Sequence, residues 1–320
     1  MHDSRWIPKL ATLLIGLFLT GCITINLPPG PGPLEEERVS GTGSAKVLLL
    51  DMSGLISSQD QDGFYERPSL VARIKEELTL AAKDTNIKAL VLRINSPGGT
   101  VSASDMLHHE LRVFHEKRKI PIVASIMDVG ASGGYYVAVA ADKIVAHPSS
   151  VTGSLGVIML TVNARGLLEK IGVETTAITS GPRKDMGSPF RPMTDDERAI
   201  FQGVIDFFYN RFLTVIKEGR RNLSPEEIRK LADGRIYSGE QAKEVGLVDS
   251  VGYLEDAVEL AKRQAGLSEA KIVMYRKPGE YKQNIYSRFM GAGMMTGLPQ
   301  FDLMSMVRAS SPQFMYLWMP

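Results

Sequence analysis

Cysteine is all but missing from this chain. Cys22 stands alone among 320 residues, so neither an internal disulfide nor a cysteine zinc cluster can be built. An excess of charge of one sign is missing too. The formal net charge is +1 and no long basic stripe runs through the sequence, which argues against non-specific nucleic-acid binding. The short charged runs, Glu35-Glu36-Glu37 and His115-Glu116-Lys117-Arg118-Lys119, read as solvated surface. Histidine is scarce and unevenly placed: His2, His108, His109, His115 and His147, with none in the second half of the chain. No repeat recurs at a period of 20 to 50 residues. What remains is 44% hydrophobic and 23% charged, enough to bury a core in one or two domains of ordinary size.

The one long apolar run is N-terminal. Arg5 and Lys9 precede Leu-Ala-Thr-Leu-Leu-Ile-Gly-Leu-Phe-Leu at residues 10–19, and Thr20-Gly21-Cys22 follows. That is the layout of a secretory signal. Leu19-Thr20-Gly21-Cys22 resembles a bacterial lipobox, which would make Cys22 a lipidation site. The alternative is an uncleaved anchor over residues 10–27, near the ~20 residues a span needs. The otherwise unexplained cysteine favours the lipid. Either reading tethers the chain to a membrane, with its body on the extracytoplasmic, periplasmic side of a bacterial cell envelope. Residues 1–22 are therefore signal or anchor, and residues 23–44, rich in Pro and Gly, read as an extended linker.

From about Ala45, continuous apolar runs alternate with helical periodicity. Lys46-Val47-Leu48-Leu49-Leu50, Ala89-Leu90-Val91-Leu92-Arg93-Ile94 and Pro121-Ile122-Val123-Ala124-Ser125-Ile126 read as strands buried on both faces. Leu70, Ile74, Leu78 and Ala82 mark one helix, and Met106, Leu107, Leu111 and Phe114 a second. Shorter strands are expected near 143–146, 156–160 and 174–178, with a short helix around 167–171. Thr194-Asp195-Asp196-Glu197 and Ser224-Pro225-Glu226-Glu227 are capping boxes that start helices, and a further helix is expected from Tyr253 to Ala265. The reading is an α/β layered fold with helical C-terminal elements. Its body covers 45–267. Residues 268–320, rich in methionine, read as a loosely ordered extension.

One stretch carries chemistry. Gly130-Ala131-Ser132-Gly133-Gly134-Tyr135-Tyr136 puts a serine among glycines at the entry to a helix. Glycines let backbone approach a substrate closely, and the helix start directs free N–H groups at the same spot. The stretch matches the Gly-x-Ser-x-Gly elbow, whose partner would be a histidine late in the chain. Only His147 follows Ser132, and its place before Pro148 suits a loop role. A lysine then becomes the candidate base. Lys184 lies 52 residues on, in Ser180-Gly181-Pro182-Arg183-Lys184-Asp185. A lysine must be desolvated to act as a base near neutral pH, a shift from about 10.4 that costs on the order of 4 kcal/mol. Met186, Gly187 and Pro189 suit a dry pocket, whereas Asp185 would favour the cation unless it points away. Asn95-Ser96-Pro97-Gly98-Gly99-Thr100, at a strand end, offers backbone donors for an oxyanion, or an ordinary turn. Ser154, in Val151-Thr152-Gly153-Ser154-Leu155-Gly156, could hold a neutral amine or serve a turn.

Together these motifs resemble the signal peptide peptidase A family of serine peptidases. The likeness runs from about Val47 to Leu267. It is carried, in order, by Leu92-Arg-Ile-Asn-Ser-Pro-Gly-Gly99, Ala131-Ser-Gly-Gly-Tyr-Tyr136, Ala141-Asp-Lys-Ile144, Thr152-Gly-Ser-Leu-Gly-Val157 and Ser180-Gly-Pro-Arg-Lys-Asp185. The resemblance implies a ClpP/crotonase-like fold of repeated ββα units in its short, single-domain form. It implies Ser132 as nucleophile, Lys184 as general base, Ser154 as the group that orients the lysine, and the backbone N–H groups of Gly99 and Gly133 as the oxyanion hole. No metal or cofactor is expected. Residual signal peptides and other unfolded or hydrophobic segments would be the substrates. A homo-oligomeric ring, an octamer, would share each site between protomers. The family's usual anchor is a transmembrane helix, from which the lipobox departs. Two rivals are a crotonase-like acyl-CoA enzyme and an inactive membrane-bound scaffold.

Overall fold

The computed structural model describes residues 32–60, 68–277 and 313–319. Cys22 and residues 10–27 lie outside them, as do residues 278–312 of the expected tail. The chain divides after Pro33, and every element below belongs to the unit 34–320.

Strands β1 (Glu35–Gly41), β2 (Lys46–Ser53), β3 (Ile87–Ser96), β5 (Ile122–Ala131), β6 (Lys143–Ala146), β10 (Ser250–Val251) and β11 (Lys271–Arg276) form a sheet in the order β1-β11-β2-β3-β5-β6-β10. All neighbours from β11 to β10 run parallel, and β1 caps the edge antiparallel to β11. The apolar runs buried on both faces explain this. Leu48, Leu50, Leu92, Ile94, Ala124 and Ile126 point into one core, while Val47, Leu49, Val91 and Val123 point into another. Both sets are fully buried, as period-two alternation requires when helices cover both faces.

The larger core lies under α1 (Leu70–Ala81), α2 (Val101–Arg118), α3 (Gly133–Ala138) and α5 (Asp195–Gly219). The smaller lies under α8 (Leu254–Gln264), through Leu254, Ala257, Val258 and Ala261. Ser69 caps α1, its hydroxyl accepting from the Ala72 N–H at 3.3 Å. Both expected capping boxes form, at α5 and at α6 (Pro225–Leu231). Helices α4 (Arg165–Lys170) and α7 (Gly239–Glu244) are single short turns.

A buried ionic group sits inside the β2–β3 layer. Arg93 Nε donates to Asp51 Oδ1 at 2.7 Å, Arg73 donates to the Asp51 carbonyl at 2.8 Å, and Arg73 also pairs with Glu77. Mutual pairing is what makes such burial tolerable.

The body is longer than 45–267. Residues 35–41, read as linker, form β1, and 271–276, read as tail, form β11 between β1 and β2. The edge of the parallel core recruits them: β2 needs a partner on its open side for its backbone N–H and C=O groups. No strand forms at 174–178, where no sheet edge is offered and Ile178 is 98% exposed.

Leu92 is fully buried at the centre of β3. Leu92→Ala is expected to lower unfolding stability by roughly 2–5 kcal/mol, measured by urea denaturation. Val162→Ala, at an exposed position, should move the same curve by less than about 0.5 kcal/mol.

Candidate active site

The site begins where β5 changes partners. Its first half pairs with β6, while Val129, Gly130 and Ala131 pair with β7 (Val151–Gly153). The strand then delivers Ser132 directly to the start of α3. Ser132 has φ 51° and ψ −113°, and its N–H donates to the Gly153 carbonyl at 2.7 Å. Its carbonyl accepts from the Tyr136 N–H at 2.9 Å. Left-handed backbone at a residue with a side chain costs roughly 1–3 kcal/mol and persists only where the surroundings enforce it. Among the described residues only Lys119, Ser132 and Ser154 do this without being glycine. Two of the three are site candidates, and they are joined through Gly153.

The Ser132 side chain is 1% exposed, and its Oγ has no hydrogen-bond partner among the described residues. A buried, unpaired hydroxyl is uncommon in a folded core. Around it the glycines are there for lack of room. A Cβ on Gly98 (φ +105°) would stand 2.7 Å from the Gly133 nitrogen, and one on Gly133 would stand 3.1 Å from the Gly98 Cα. A Cβ on Gly134 would stand 2.7 Å from the Ser96 carbonyl oxygen. The turn after β3 and the start of α3 therefore touch backbone to backbone. Gly99, in β4 (Gly98–Thr100), is pressed on its other side by Ile56, whose N–H donates to the Gly98 carbonyl at 2.9 Å.

Ser154 follows Gly153 at φ 50°, its N–H donating to the Arg235 carbonyl at 2.7 Å. Ser132, Gly99, Gly133 and Ser154 thus converge. Lys184 does not join them. It is exposed on the turn at 181–187, and no hydrogen bond links it to Ser132 or Ser154 within the chain. Asp185 does point elsewhere. Arg191 binds its carboxylate through Nε at 2.7 Å and Nη2 at 2.8 Å, and also reaches Glu197 in the α5 capping box. The guanidinium holds the Asp185 carboxyl below its ordinary range. Half of the large apolar side chains exposed among the described residues fall between 160 and 190, Leu167, Ile171 and Ile178 among them.

One element of the site escaped the sequence reading. Residues 313–317, assigned to a loosely ordered tail, form strand β12 (Gln313–Leu317). It lies between β4 and β8 (Ile158–Leu160), antiparallel to both. Tyr316 is fully buried. The signal was present: Phe314, Tyr316 and Trp318 alternate with other residues at the period of a strand. The Tyr316 ring stacks on Tyr136 with centroids 5.0 Å apart and meets Phe212 at 4.6 Å. Its hydroxyl donates to the Phe208 carbonyl at 2.8 Å. Behind Tyr136, its hydroxyl donates to Asp105 at 2.5 Å, and Arg211 pairs with the same carboxylate.

Comparison with known proteins decides the family. The pattern of peptidase family S49 matches residues 115–268. An Enterococcus faecium protein named as a signal peptide peptidase, SppA, is 36% identical over 243 residues, 76% of this chain and 70% of that one. The chain belongs to peptidase family S49. This S49 peptidase is also 44% identical over 245 residues to a protein of Methanocaldococcus jannaschii named as a protease, covering 76% of this chain and 78% of that one. It is 33% identical to Protease 4 of Salmonella typhi, over 73% of this chain and 37% of that longer one. Among solved structures, a ClpP1 mutant from Listeria monocytogenes aligns with 66% of this chain and 94% of its own at 20% identity and TM-score 0.43. An S49 peptidase is a serine protease, which leaves the acyl-CoA reading without support. The parallel sheet carries helices on both faces, as the α/β reading expected, and β3–β4–α2 forms one ββα unit.

His108 packs its ring edge against Tyr136 at 5.5 Å and is 7% exposed. Burial lowers its pKa from 6.5 to about 4. Asp105 opposes that shift, while Arg112, Arg211 and His109 add to it. Because the unfolded chain binds the proton more readily, this group stabilises the fold fully above about pH 6.5. That stability is lost as pH falls from there toward 4, up to roughly 3 kcal/mol. The melting temperature of the wild type should therefore drop over this window by more than that of His108→Phe, measured by calorimetry at pH 7, 5.5 and 4.

Proposed function

We propose that this S49 peptidase is a membrane-tethered endopeptidase that cuts residual signal peptides and other hydrophobic or unfolded segments, with Ser132 as nucleophile and Lys184 as general base. The observation that carries the reading is the Ser132 hydroxyl: held in strained backbone, buried, without a hydrogen-bond partner among the described residues, and next to the close approach of the Gly98 and Gly133 backbones.

In this reading the neutral Lys184 amine takes the Ser132 proton as Oγ attacks a peptide carbonyl carbon. The N–H groups of Gly99 and Gly133 bind the oxygen as it becomes negative, an interaction stronger in the transition state than in the ground state. The C–N bond breaks, the departing amine receives the proton from the lysine, and an ester on Ser132 remains. Water, giving its proton to the Lys184 amine, attacks the ester carbonyl; the bond to Ser132 Oγ breaks and the lysine returns that proton to Oγ. Ser154 orients the lysine.

The lysine would come from a neighbouring copy. Within one chain it is exposed and unbonded to the serine, and it sits in the stretch richest in exposed apolar side chains, the kind of surface that marks an interface. Burial there would desolvate the amine, and the Arg191 clamp keeps the Asp185 carboxylate from holding it charged. A closed ring, an octamer in our reading, supplies one lysine per serine. The leader-type N-terminus supports tethering, by Cys22 lipid or by a membrane helix, with the body on the periplasmic face of the cell envelope. The substrate class rests on that placement and on the name of the Enterococcus relative.

The test is hydrolysis of a synthetic signal peptide. Ser132→Ala and Lys184→Ala should each lose roughly 10³-fold or more in kcat/KM with unchanged melting temperature. Co-assembled one to one, the two inactive variants should recover about a quarter of wild-type activity, because a random closed ring pairs an intact serine with an intact lysine in that share of its sites. Full activity of Lys184→Ala would overturn the dyad. No recovery on mixing would place both groups in one chain.

A further inference from the structure

Asn95 ties together the two strands that end at the site. Up to Ile94, β3 and β5 pair residue for residue, Leu90 with Ile122 and Ile94 with Ile126, and pairing then resumes at Ser96 with Gly130. Three residues of β5, Met127, Asp128 and Val129, therefore stand opposite Asn95 alone. Such a bulge interrupts the ladder and leaves backbone groups without their strand partners. The Asn95 side chain fills the gap. Its Oδ1 accepts from the Val129 N–H at 3.2 Å, and its Nδ2 donates to Asp128 Oδ2 at 2.8 Å. On the other side, the Asn95 carbonyl accepts from the Gly54 N–H at 3.0 Å, so the residue is also held from the end of β2.

An amide suits this place, because one end must accept and the other must donate. Aspartate could accept from Val129 but would set a second carboxylate against Asp128. Alanine would supply neither bond.

The position gives these bonds leverage. Asn95 is three residues before Gly98, and Val129 is three before Ser132. Beyond them the backbones press together. A Cβ on Gly98 would stand 2.7 Å from the Gly133 nitrogen, and one on Gly134 would stand 2.7 Å from the Ser96 carbonyl oxygen. Those contacts stop the two strand ends from coming closer. The Asn95 amide stops the bulged strand from moving away. Both act on one spacing, between Gly99 on the first strand end and Ser132 with Gly133 on the second.

We propose that Asn95 is a positioning residue: its amide sets the spacing between Gly99 and the start of α3, and with it the alignment of the two oxyanion donors to the nucleophile. The proposal rests on the peptidase reading above. Asn95 is half-buried, so loss of its two bonds should move the melting temperature by only a few degrees. A misplacement of ~1 Å at a reacting centre, by contrast, can cost ~100-fold in rate.

Full-length wild type, Asn95→Ala, Asn95→Asp and the swapped pair Asn95→Asp/Asp128→Asn test this on the synthetic signal peptide. In Asn95→Ala, kcat should fall roughly 10–100-fold while KM stays within about twofold, a split that a merely structural role would not give. Inhibition by a peptide aldehyde, whose hemiacetal oxygen takes the place of the oxyanion, should weaken by the factor that kcat/KM loses. Amide hydrogen exchange over residues 96–100 and 130–136, read by mass spectrometry, should quicken. Asn95→Asp should lose at least as much, and the swapped pair should recover most of it, because the new amide donates to the new carboxylate. An unchanged kcat in Asn95→Ala, or no recovery in the swapped pair, would overturn the proposal. The swapped pair carries the test by itself if Asn95→Ala does not fold. Quickened exchange that the swap restores, in a chain whose wild type cuts no peptide, keeps the spacing role and removes the peptidase reading. Hydrolysis indifferent to Asn95 does the reverse.

Discussion

Gly98 and Gly133 pass so closely that neither can carry a side chain, and the candidate site is built around that approach. The turn after β3 brings Gly99 beside the start of α3. The start of α3 is fixed in turn by Ser132, bonded back to Gly153 at the end of β7. Any Cβ at the contact would push the two backbones apart, separating the Gly99 N–H from the Gly133 N–H and both from the Ser132 hydroxyl. Such spacing governs whether two donors can serve one oxygen.

The sheet exists to hold this contact in place. β3 and β5 are adjacent, parallel and buried on both faces, and both end at the site, one in the glycine turn and the other in Ser132. Their apolar side chains alternate between two cores, so a slip of one residue would exchange the two faces and carry Ser132 out of register with Gly98. The strained φ of Ser132 is affordable because Ser132 is pinned from both sides, by β7 and by the first turn of α3.

Much of this was legible in sequence because it is local. Continuous apolar runs announced β2, β3 and β5. The two capping boxes announced α5 and α6. Gly-x-Ser-x-Gly and Ser96-Pro97-Gly98-Gly99 announced the two turns, and the scarcity of histidine directed attention to lysine. The reading failed where an element has meaning only against a partner. β1 has no fully buried side chain and β11 lies beyond an expected domain end; β11 is a strand because β2 offers an unpaired edge, and β1 because β11 then offers the next. β12 was lost among methionines, although Phe314, Tyr316 and Trp318 alternate like a strand. Lys184 shows the opposite case. Its motif was found, yet a single chain leaves it exposed.

The amino-acid sequence by itself determined the α/β layering, the serine among glycines and the family, because apolar runs, capping and glycine turns are fixed by side chains close together along the chain. Tertiary structure alone decided that Gly98 and Gly133 touch, that Asp185 is taken by Arg191 rather than facing Lys184, and that Tyr316 fills an aromatic hole beside Ser132. Each of those facts depends on segments far apart in sequence meeting at atomic spacing. No local pattern encodes such a meeting; it follows from the packing of both cores against one sheet.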